Sequence, residues 1–155
     1  MPDSLSKKMQ IESSSPVFEL LAKPVRKALA ELGFSEPTLP QILAFPPVLE
    51  GKNVLLIAPT GTGKTEAVLL PVFSRLVEQK NQEQKDMGIQ VIYVTPLRAL
   101  NRDMFKRLTF WSKQLGITVE VRHGDTEMKI RRKQALRPPQ MLVTTPETLH
   151  PLNSK

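Results

Sequence analysis

The chain has 155 residues, no cysteine and a net charge of +7; 40 % of its residues are hydrophobic and 24 % are charged. This length fits a single domain with a buried core, the composition is typical of a soluble globular protein, and no apolar run approaches the roughly 20 residues of a transmembrane helix, so no membrane partner is expected. The polar N-terminus argues against a signal peptide, and without cysteines there are no disulfides or thiolate metal sites, so we expect a cytoplasmic protein.

The N-terminal third of the chain is predicted to be helical. Pro24 suits the first turn of a helix, and Gly33 suits the position just after its end. Between them, apolar residues recur at helical spacing: Val25, Ala28, Leu29 and Leu32. A second short helix is predicted over 40–45 and is expected to stop at Pro46-Pro47, with a further helical turn over 47–50.

The rest of the chain alternates between strand and helix patterns. Four short segments rich in β-branched residues are predicted to be strands: 53–57, 90–95, 118–122 and 140–144. Three longer segments between them are predicted to be helical: 64–79, 97–115 and 126–136. The polar segment 80–88 is predicted to be a surface loop. Such alternation predicts an α/β fold with a parallel sheet, in which ligands bind at the carboxyl ends of the strands.

The positive charge is concentrated in one segment. Residues 98–137 contain eleven Lys and Arg residues against four acidic residues, so this segment carries the whole excess of +7 and the remainder of the chain is balanced. A local excess of this size is typical of a surface that binds a polyanion. Solvated helix faces also carry such charge, and composition alone leaves both interpretations open.

A glycine-rich turn, APTGTGKT over Ala58–Thr65, lies between the first predicted strand and the helix after it. Gly61 and Gly63 permit positive φ angles, so that consecutive N–H groups can face one anion, and the helix start adds its positive dipole end. This context is typical of a phosphate-binding P-loop, although the strict pattern has Gly where this chain has Ala58. The alternative is a turn that only links a strand to a helix.

In a P-loop the next two residues contact the nucleotide. Lys64 is expected to reach the β and γ phosphates, and the hydroxyl of Thr65 is expected to bind Mg²⁺ through the nucleotide, which makes these two the candidate catalytic residues. The predicted nucleotide-binding residues of the loop and helix start are Ala58, Thr60, Gly61, Thr62, Gly63, Lys64, Thr65 and Glu66.

Two segments before the P-loop resemble a helicase. GFSEPTLPQ (33–41) and AFPPVLEGKNV (44–54) resemble the Q motif region of superfamily 2 helicases. In that family the glutamine reads the adenine edge, and an amide suits this task because it offers a donor and an acceptor in one plane. The resemblance therefore assigns selection of ATP to Gln41. The alternative is a surface glutamine on a short helix.

Three later turns extend the resemblance. TPLRALN (95–101) resembles motif Ia, RHGDT (122–126) resembles the segment with the glycine of motif Ib, and TTPETL (144–149) resembles the T-P-E turn. In the family these turns bind the sugar-phosphate backbone of one strand, which carries no sequence information. The resemblance assigns nucleic-acid contacts to Pro96, Leu97, Arg98, Asn101, Arg122, Gly124, Thr145, Pro146 and Glu147. The three turns together are most similar to the large-helicase-related (Lhr) branch. Asp125 is interpreted as a cap of the helix that follows.

The resemblance implies a RecA-like P-loop NTPase domain, incomplete at its C-terminus. This partial domain would span 16–155, after a flexible Ser-rich N-terminus over 1–15. The family's D-E-x-H box, whose carboxylates hold Mg²⁺, does not occur in the sequence, and neither does the second RecA-like domain. In the family the strand leading to that box lies beside the P-loop strand. We therefore expect 53–57 to have an unpaired edge and the chain to be marginally stable alone.

On this resemblance the chain is the ATP-binding and nucleic-acid-binding part of an ATP-dependent, Lhr-like helicase. It would use ATP and Mg²⁺ and bind single-stranded or partly duplex nucleic acid; its oligomeric state, and hydrolysis by this chain alone, stay open. One alternative is a non-catalytic module or pseudo-helicase fragment that binds nucleotide, nucleic acid or a helicase subunit. Another is an unrelated P-loop kinase or GTPase, which would leave the TPLRALN and TTPE turns without a role.

Overall fold

The computed structural model describes residues 16–80 and 88–149. The chain divides into two compact units, Met1–Gln79 and Lys80–Lys155. The expected flexible N-terminus lies outside the described residues, as do residues 81–87 of the predicted loop. The assignment of 16–155 to one partial domain stays a prediction. Among the described residues, no helix is both long enough and apolar enough to cross a bilayer.

The described part of the first unit contains three α-helices. They are α1 (Lys23–Glu31), α2 (Leu39–Leu49) and α3 (Lys64–Lys80). Pro24 lies in the first turn of α1, and Gly33 adopts φ +77° just after its end. Proline suits the first turn because its φ is already helical and an N–H at that position has no partner within the helix. Glycine suits the position after the helix because it adopts a left-handed backbone conformation without strain. The first predicted helix is therefore confirmed.

The core of the first unit is built from apolar side chains of these helices, of a 3-10 turn at Phe18–Leu20 and of the residue that follows this turn. Its buried members include Phe18, Leu21, Val25, Leu29, Phe45, Leu70, Phe73 and Leu76. The rings of Phe18 and Phe45 lie with their centroids 6.3 Å apart. Leu32 is 44 % exposed, so the apolar stripe of α1 is buried only as far as Leu29.

Helix α2 continues through Pro46-Pro47, where the sequence predicted an end. A proline inside a helix leaves the carbonyl four residues earlier without its usual N–H donor. Here those carbonyls belong to Ile42 and Leu43, which are 40 % and 62 % exposed. Water can therefore take the place of the missing donors, and one continuous helix replaces the two predicted pieces.

The segment 53–57 is not a strand, so this prediction is wrong for the structure. Val54 is 41 % exposed, and Leu55 and Ile57 are each 86 % exposed. A strand needs a neighbour whose N–H and C=O groups complete its backbone hydrogen bonds. No strand in 16–80 or 88–149 pairs with this segment, and its apolar side chains consequently stay exposed.

The second unit contains a three-stranded parallel sheet. Its strands are β1 (Val91–Val94), β2 (Val119–Arg122) and β3 (Met141–Thr144), in the order β1-β3-β2. Helix α4 (Arg102–Leu115) follows β1, and helix α5 (Met128–Leu136) follows β2. Each residue of the central strand β3 is buried, which agrees with its continuous apolar run. Three of the four predicted strands and the predicted parallel sheet are confirmed.

The predicted helix over 97–115 is interrupted. A 3-10 turn at Leu97–Ala99 is followed by extended backbone at Asn101, whose side-chain Oδ1 accepts a hydrogen bond from the N–H of Met104 at 3.0 Å. Such a cap satisfies a donor that the first helical turn leaves free, so α4 begins at residue 102. It ends at Gly116 with φ +62°, and its buried side chains recur at helical spacing: Leu108, Trp111 and Leu115.

Ser74 ties α3 to the start of α1. Its buried hydroxyl accepts a hydrogen bond from the backbone N–H of Ala22. Replacing Ser74 by alanine leaves that N–H buried without a partner, so we expect the free energy of unfolding to fall by about 1–3 kcal/mol. The urea midpoint measures the loss. Ser35→Ala, at an exposed site, is the control, and an equal effect of the two variants would contradict the prediction.

Candidate nucleotide site and nucleic-acid interface

Residues 58–65 form a tight loop directly before α3 in the first unit. Gly61 and Gly63 have φ +79° and +77°, a region that side chains with a Cβ rarely adopt. The hydroxyl of Thr62 donates to the carbonyl of Pro59 at 2.7 Å and closes the loop. Both glycines therefore stand where the backbone requires them, and α3 begins at the next residue.

Lys64 reaches back across this loop. Its Nζ donates to the carbonyl oxygen of Ala58 at 2.6 Å, so the ammonium group lies over the loop rather than extending into solvent. The contact uses only the backbone of Ala58. The presence of Ala58, where the strict P-loop pattern has glycine, therefore leaves this contact intact. Thr65 and Glu66 lie in the first turn of α3, where the positive end of the helix dipole favours anions.

Gln41 is buried against the P-loop. It is 3 % exposed, so the alternative of a surface glutamine is wrong. Its Oε1 accepts a hydrogen bond from the backbone N–H of Thr38 at 3.1 Å, at the start of α2. A Cβ added to Gly63 would lie 2.8 Å from Gln41 Nε2 and 3.1 Å from Thr38 Oγ1. The amide thus connects the start of α2 to the phosphate loop; its contact with adenine stays a prediction.

In the second unit, the three predicted turns follow strands that end at one level. Val94 of β1 and Arg122 of β2 both pair with Thr144 of β3 in the parallel register. The N–H of Thr95 also donates to the carbonyl of Thr144 at 2.9 Å. The turns at 95–101, 122–126 and 144–149 therefore begin at the same edge of the sheet.

These turns differ in which predicted contact residues they expose. Pro96, Leu97 and Arg98 are exposed, as are Pro146 and Glu147. Two others use their side chains inside their own turn. Asn101 caps α4 through its Oδ1, and Thr145, which is 2 % exposed, shares a hydrogen bond between its hydroxyl and that of Thr148 at 2.9 Å. Whether each residue contacts nucleic acid stays a prediction.

The turn at 122–126 is closed by its own hydrogen bonds. The N–H of His123 donates to the hydroxyl of Thr126 at 2.9 Å, and the N–H of Asp125 donates to Nδ1 of His123 at 3.2 Å. Asp125 does not cap the next helix, because the turn extends to Thr126 and the N-cap position of α5 is Glu127. Gly124 is exposed at the tip.

Arg122 enters this turn with its guanidinium already engaged. Its Nε donates to Oε1 of Gln134, on α5, at 2.8 Å. Burial lowers the pKa of Arg122, the nearby positive charge of Arg131 lowers it further, and Glu120 raises it. Arginine stays protonated at neutral pH in spite of such shifts, so Arg122 remains a cation at the edge of the sheet.

Sequence reasoning did not single out Thr38, Arg131 or Gln134. Thr38 occupies the N-cap of α2, and its spacing to Gln41 is that of a capping box. Arg131 and Gln134 are three residues apart on α5 and therefore share a face of that helix. For Arg131 and Gln134, the only signal in the sequence was that Gln134 is a single amide after a run of basic residues.

Comparisons with known proteins agree on one family. Residues 38–155 match the family described as DEAD/DEAH box helicase. The ATP-dependent helicase Lhr-Core of Methanocaldococcus jannaschii is 34 % identical over 149 residues, covering 88 % of this chain and 18 % of that protein. The structure of Mycobacterium smegmatis helicase Lhr bound to ssDNA and AMP-PNP is 35 % identical with a TM-score of 0.71, covering 86 % of this chain and 18 % of that chain.

A more distant structure supports the fold alone. The DEAD-box helicase Mss116 bound to ssRNA and UDP-BeF has a TM-score of 0.73 at 23 % identity, covering 98 % of this chain and 30 % of that chain. These likenesses confirm the RecA-like α/β fold and the resemblance to Lhr helicases. The chain spans less than a fifth of the length of Lhr-Core, since the match covers 18 % of that protein.

Proposed function

Because the chain belongs to the DEAD/DEAH box helicase family, we propose that it is the ATP-binding and nucleic-acid-binding part of an Lhr-like helicase. The proposal assigns ATP to the first unit and a single strand, or the single-stranded part of a duplex, to the second. The observation that carries it is the loop before α3, where two positive-φ glycines are followed by Lys64, whose ammonium lies back over the loop at 2.6 Å from Ala58 O.

The groups around this loop fit a nucleoside triphosphate with Mg²⁺. The glycine-bearing backbone, Lys64 and the start of α3 supply donors and positive charge for phosphates. The hydroxyl of Thr65 is the proposed Mg²⁺ ligand, and the amide of Gln41 is the proposed reader of adenine. Mg²⁺ bound with ATP neutralises charge on the phosphates. Lys64 exchanges a neutral carbonyl for a phosphate oxygen, which is the stronger, charge-assisted hydrogen bond.

The edge shared by the three turns supports the nucleic-acid role. Exposed Arg98, the guanidinium of Arg122 and the tip at Gly124 belong to one sheet edge within the basic segment. Backbone N–H groups, hydroxyls and arginines of this kind bind phosphates without reading bases. The related Lhr structure contains ssDNA, which supports a single strand as the ligand.

The second candidate is a module that binds nucleotide and nucleic acid without turnover. Steady-state ATP hydrolysis with added single-stranded DNA separates the two candidates. Turnover that Lys64→Ala abolishes supports an enzyme, whereas binding without turnover supports the module. The cytoplasmic location stays a prediction.

Binding of a single strand is expected to weaken steeply with salt. If roughly 4 to 6 phosphates are contacted, log K should fall against log salt with a slope of about −3 to −4, because each neutralised phosphate of a single strand contributes about −0.7. Fluorescence anisotropy with a labelled oligothymidine measures this slope. Arg98→Gln should make it less steep, whereas Lys23→Gln, exposed on α1, serves as the control. A flat salt response would contradict the role of the basic segment.

A further inference from the structure

We infer that Arg131 and Gln134 of α5 are positioning residues for nucleic-acid binding: they hold the backbone of the 122–126 turn and the guanidinium of Arg122 in one arrangement. The inference rests on the proposed function, because it concerns how the second unit binds a strand. Neither residue belongs to a turn that resembles a helicase motif, and both act through the residues that do.

Arg131 binds three carbonyl groups of the same turn. Its Nε donates to Thr126 O at 2.9 Å, and one terminal nitrogen donates to His123 O at 2.9 Å and to Gly124 O at 3.1 Å. A guanidinium presents its donors in a fixed planar fork, so one side chain can hold several carbonyls in a defined relation. The charge of Arg131 is thereby directed to the backbone of the turn.

The fork also fixes where the N–H groups of the turn point. In a trans peptide the C=O of one residue and the N–H of the next point in opposite directions. Since the carbonyl of His123 faces Arg131, the N–H of Gly124 faces away from it. Within residues 88–149 this N–H donates to no other group, and a Cβ added to Gly124 would meet nothing within 4 Å. Arg131 therefore turns an available donor away from itself at the exposed tip of the turn, where a phosphate can accept it.

Gln134 completes the arrangement from one turn further along α5. It is 2 % exposed, its Nε2 donates to Val121 O at 3.1 Å, and its Oε1 accepts from Arg122 Nε at 2.8 Å. Both ends of the buried amide are thus paired, as buried polar groups require. The Nε2 end holds the carbonyl of Val121, one residue before β2 ends, and the Oε1 end holds the side chain of Arg122.

The basic residues of α5 consequently fall into two classes. Arg131 is engaged with the turn, whereas Lys129, Arg132 and Lys133 are exposed, the last with its Nζ 3.9 Å from Glu120 Oε1. The positive charge of Arg131 is close enough to lower the pKa of Arg122. Two guanidinium groups held near each other repel, and a phosphate bound at this edge would offset the repulsion.

Charge and geometry are separated by Arg131→Lys. Lysine keeps the charge but cannot bind three carbonyls, so we expect the affinity of the full chain for labelled oligothymidine to fall about tenfold, as for the loss of roughly one charged hydrogen bond. Gln134→Met should have a similar effect. Arg132→Lys is the matched control on the same helix and should change affinity less than about twofold, because Arg132 makes no hydrogen bond to the described turn. Thermal melting verifies that each variant is folded.

Chemical rescue tests the guanidinium itself. Methylguanidinium should restore part of the affinity of Arg131→Ala, and methylammonium at the same concentration should not, because only the former reproduces the planar fork. Rescue by both compounds alike, or equal affinities of Arg131→Lys, Arg132→Lys and the wild type, would overturn the inference.

Amide hydrogen exchange without DNA distinguishes failure of this inference from failure of the proposed function. Arg131→Lys should speed exchange in the peptide that covers 122–126 and leave the peptide over β3 unchanged. If the wild type binds no oligothymidine, the proposed function fails, and the exchange result alone then decides whether Arg131 holds the turn. Unchanged exchange in 122–126 would overturn the inference.

Discussion

Replacement of Lys64 by methionine is expected to weaken the binding of ATP·Mg²⁺ by about 10- to 100-fold. The ammonium group lies 2.6 Å from the carbonyl of Ala58 and so is already held over the loop that would receive the phosphates. Its loss removes a charged hydrogen bond, which contributes about 1.5–3 kcal/mol. Methionine keeps the length and the apolar stem of the side chain, so the packing of α3 should change little.

The binding of a fluorescent ATP analogue measures this effect. Lys27→Met, at an exposed position of α1, removes the same charge away from the loop and should leave the affinity within about twofold. Equal affinities of Lys64→Met and the wild type would remove the P-loop from the proposed function. Equal losses in the two variants would instead mean that only net charge matters.

Gly63→Ala should destabilise the first unit more than Gly61→Ala. Both glycines have a positive φ, so each substitution carries a strain of about 1–2 kcal/mol. A Cβ at Gly61 meets nothing within 4 Å, whereas a Cβ at Gly63 lies 2.8 Å from Gln41 Nε2 and 3.1 Å from Thr38 Oγ1. The 2.8 Å contact with Gln41 Nε2 is too short for the amide of Gln41 to stay in place. Moving this amide breaks its hydrogen bond from the Thr38 N–H. We expect a total loss of about 2–4 kcal/mol at Gly63.

Urea unfolding of the two variants gives the comparison directly. The Gln41→Ala background removes the amide that the new Cβ meets, so the additional cost at Gly63 should shrink there. Nucleotide affinity should fall more for Gly63→Ala than for Gly61→Ala, because displacement of Gln41 also disturbs the proposed adenine contact. Equal unfolding costs at the two glycines would show that the contact between Gln41 and the loop has no energetic weight.

Much of the fold follows from local patterns. The segments rich in β-branched residues at 90–95, 118–122 and 140–144 predicted three strands that the structure contains, and the helical periodicity around Val25 and Leu29 predicted α1. Such patterns succeed because the period of burial along an element follows from its backbone geometry. The spacing of Gly61 and Gly63 predicted a loop with positive φ for the same local reason.

Local patterns failed where the outcome depends on neighbours. Pro46-Pro47 indicated a helix end, but solvent at Ile42 and Leu43 can satisfy the carbonyls that the prolines leave free. The run at 53–57 indicated a strand, but a strand exists only when another pairs with it, and none of the described strands does. The structure also pairs the hydroxyl of Thr145 with that of Thr148, a contact that its turn did not predict, and the contact of Thr145 with nucleic acid stays a prediction.

The sequence by itself therefore determined the chemistry of the two candidate sites: a phosphate loop ending in Lys-Thr, a glutamine before it, and three turns within or beside a basic segment. Only the tertiary structure decided how those groups are held. It buries Gln41 against Gly63, and it turns Arg131 and Gln134 toward the backbone of 122–126. The physical reason is that backbone conformation is set largely by adjacent residues, whereas these contacts join elements that meet only after the chain has folded.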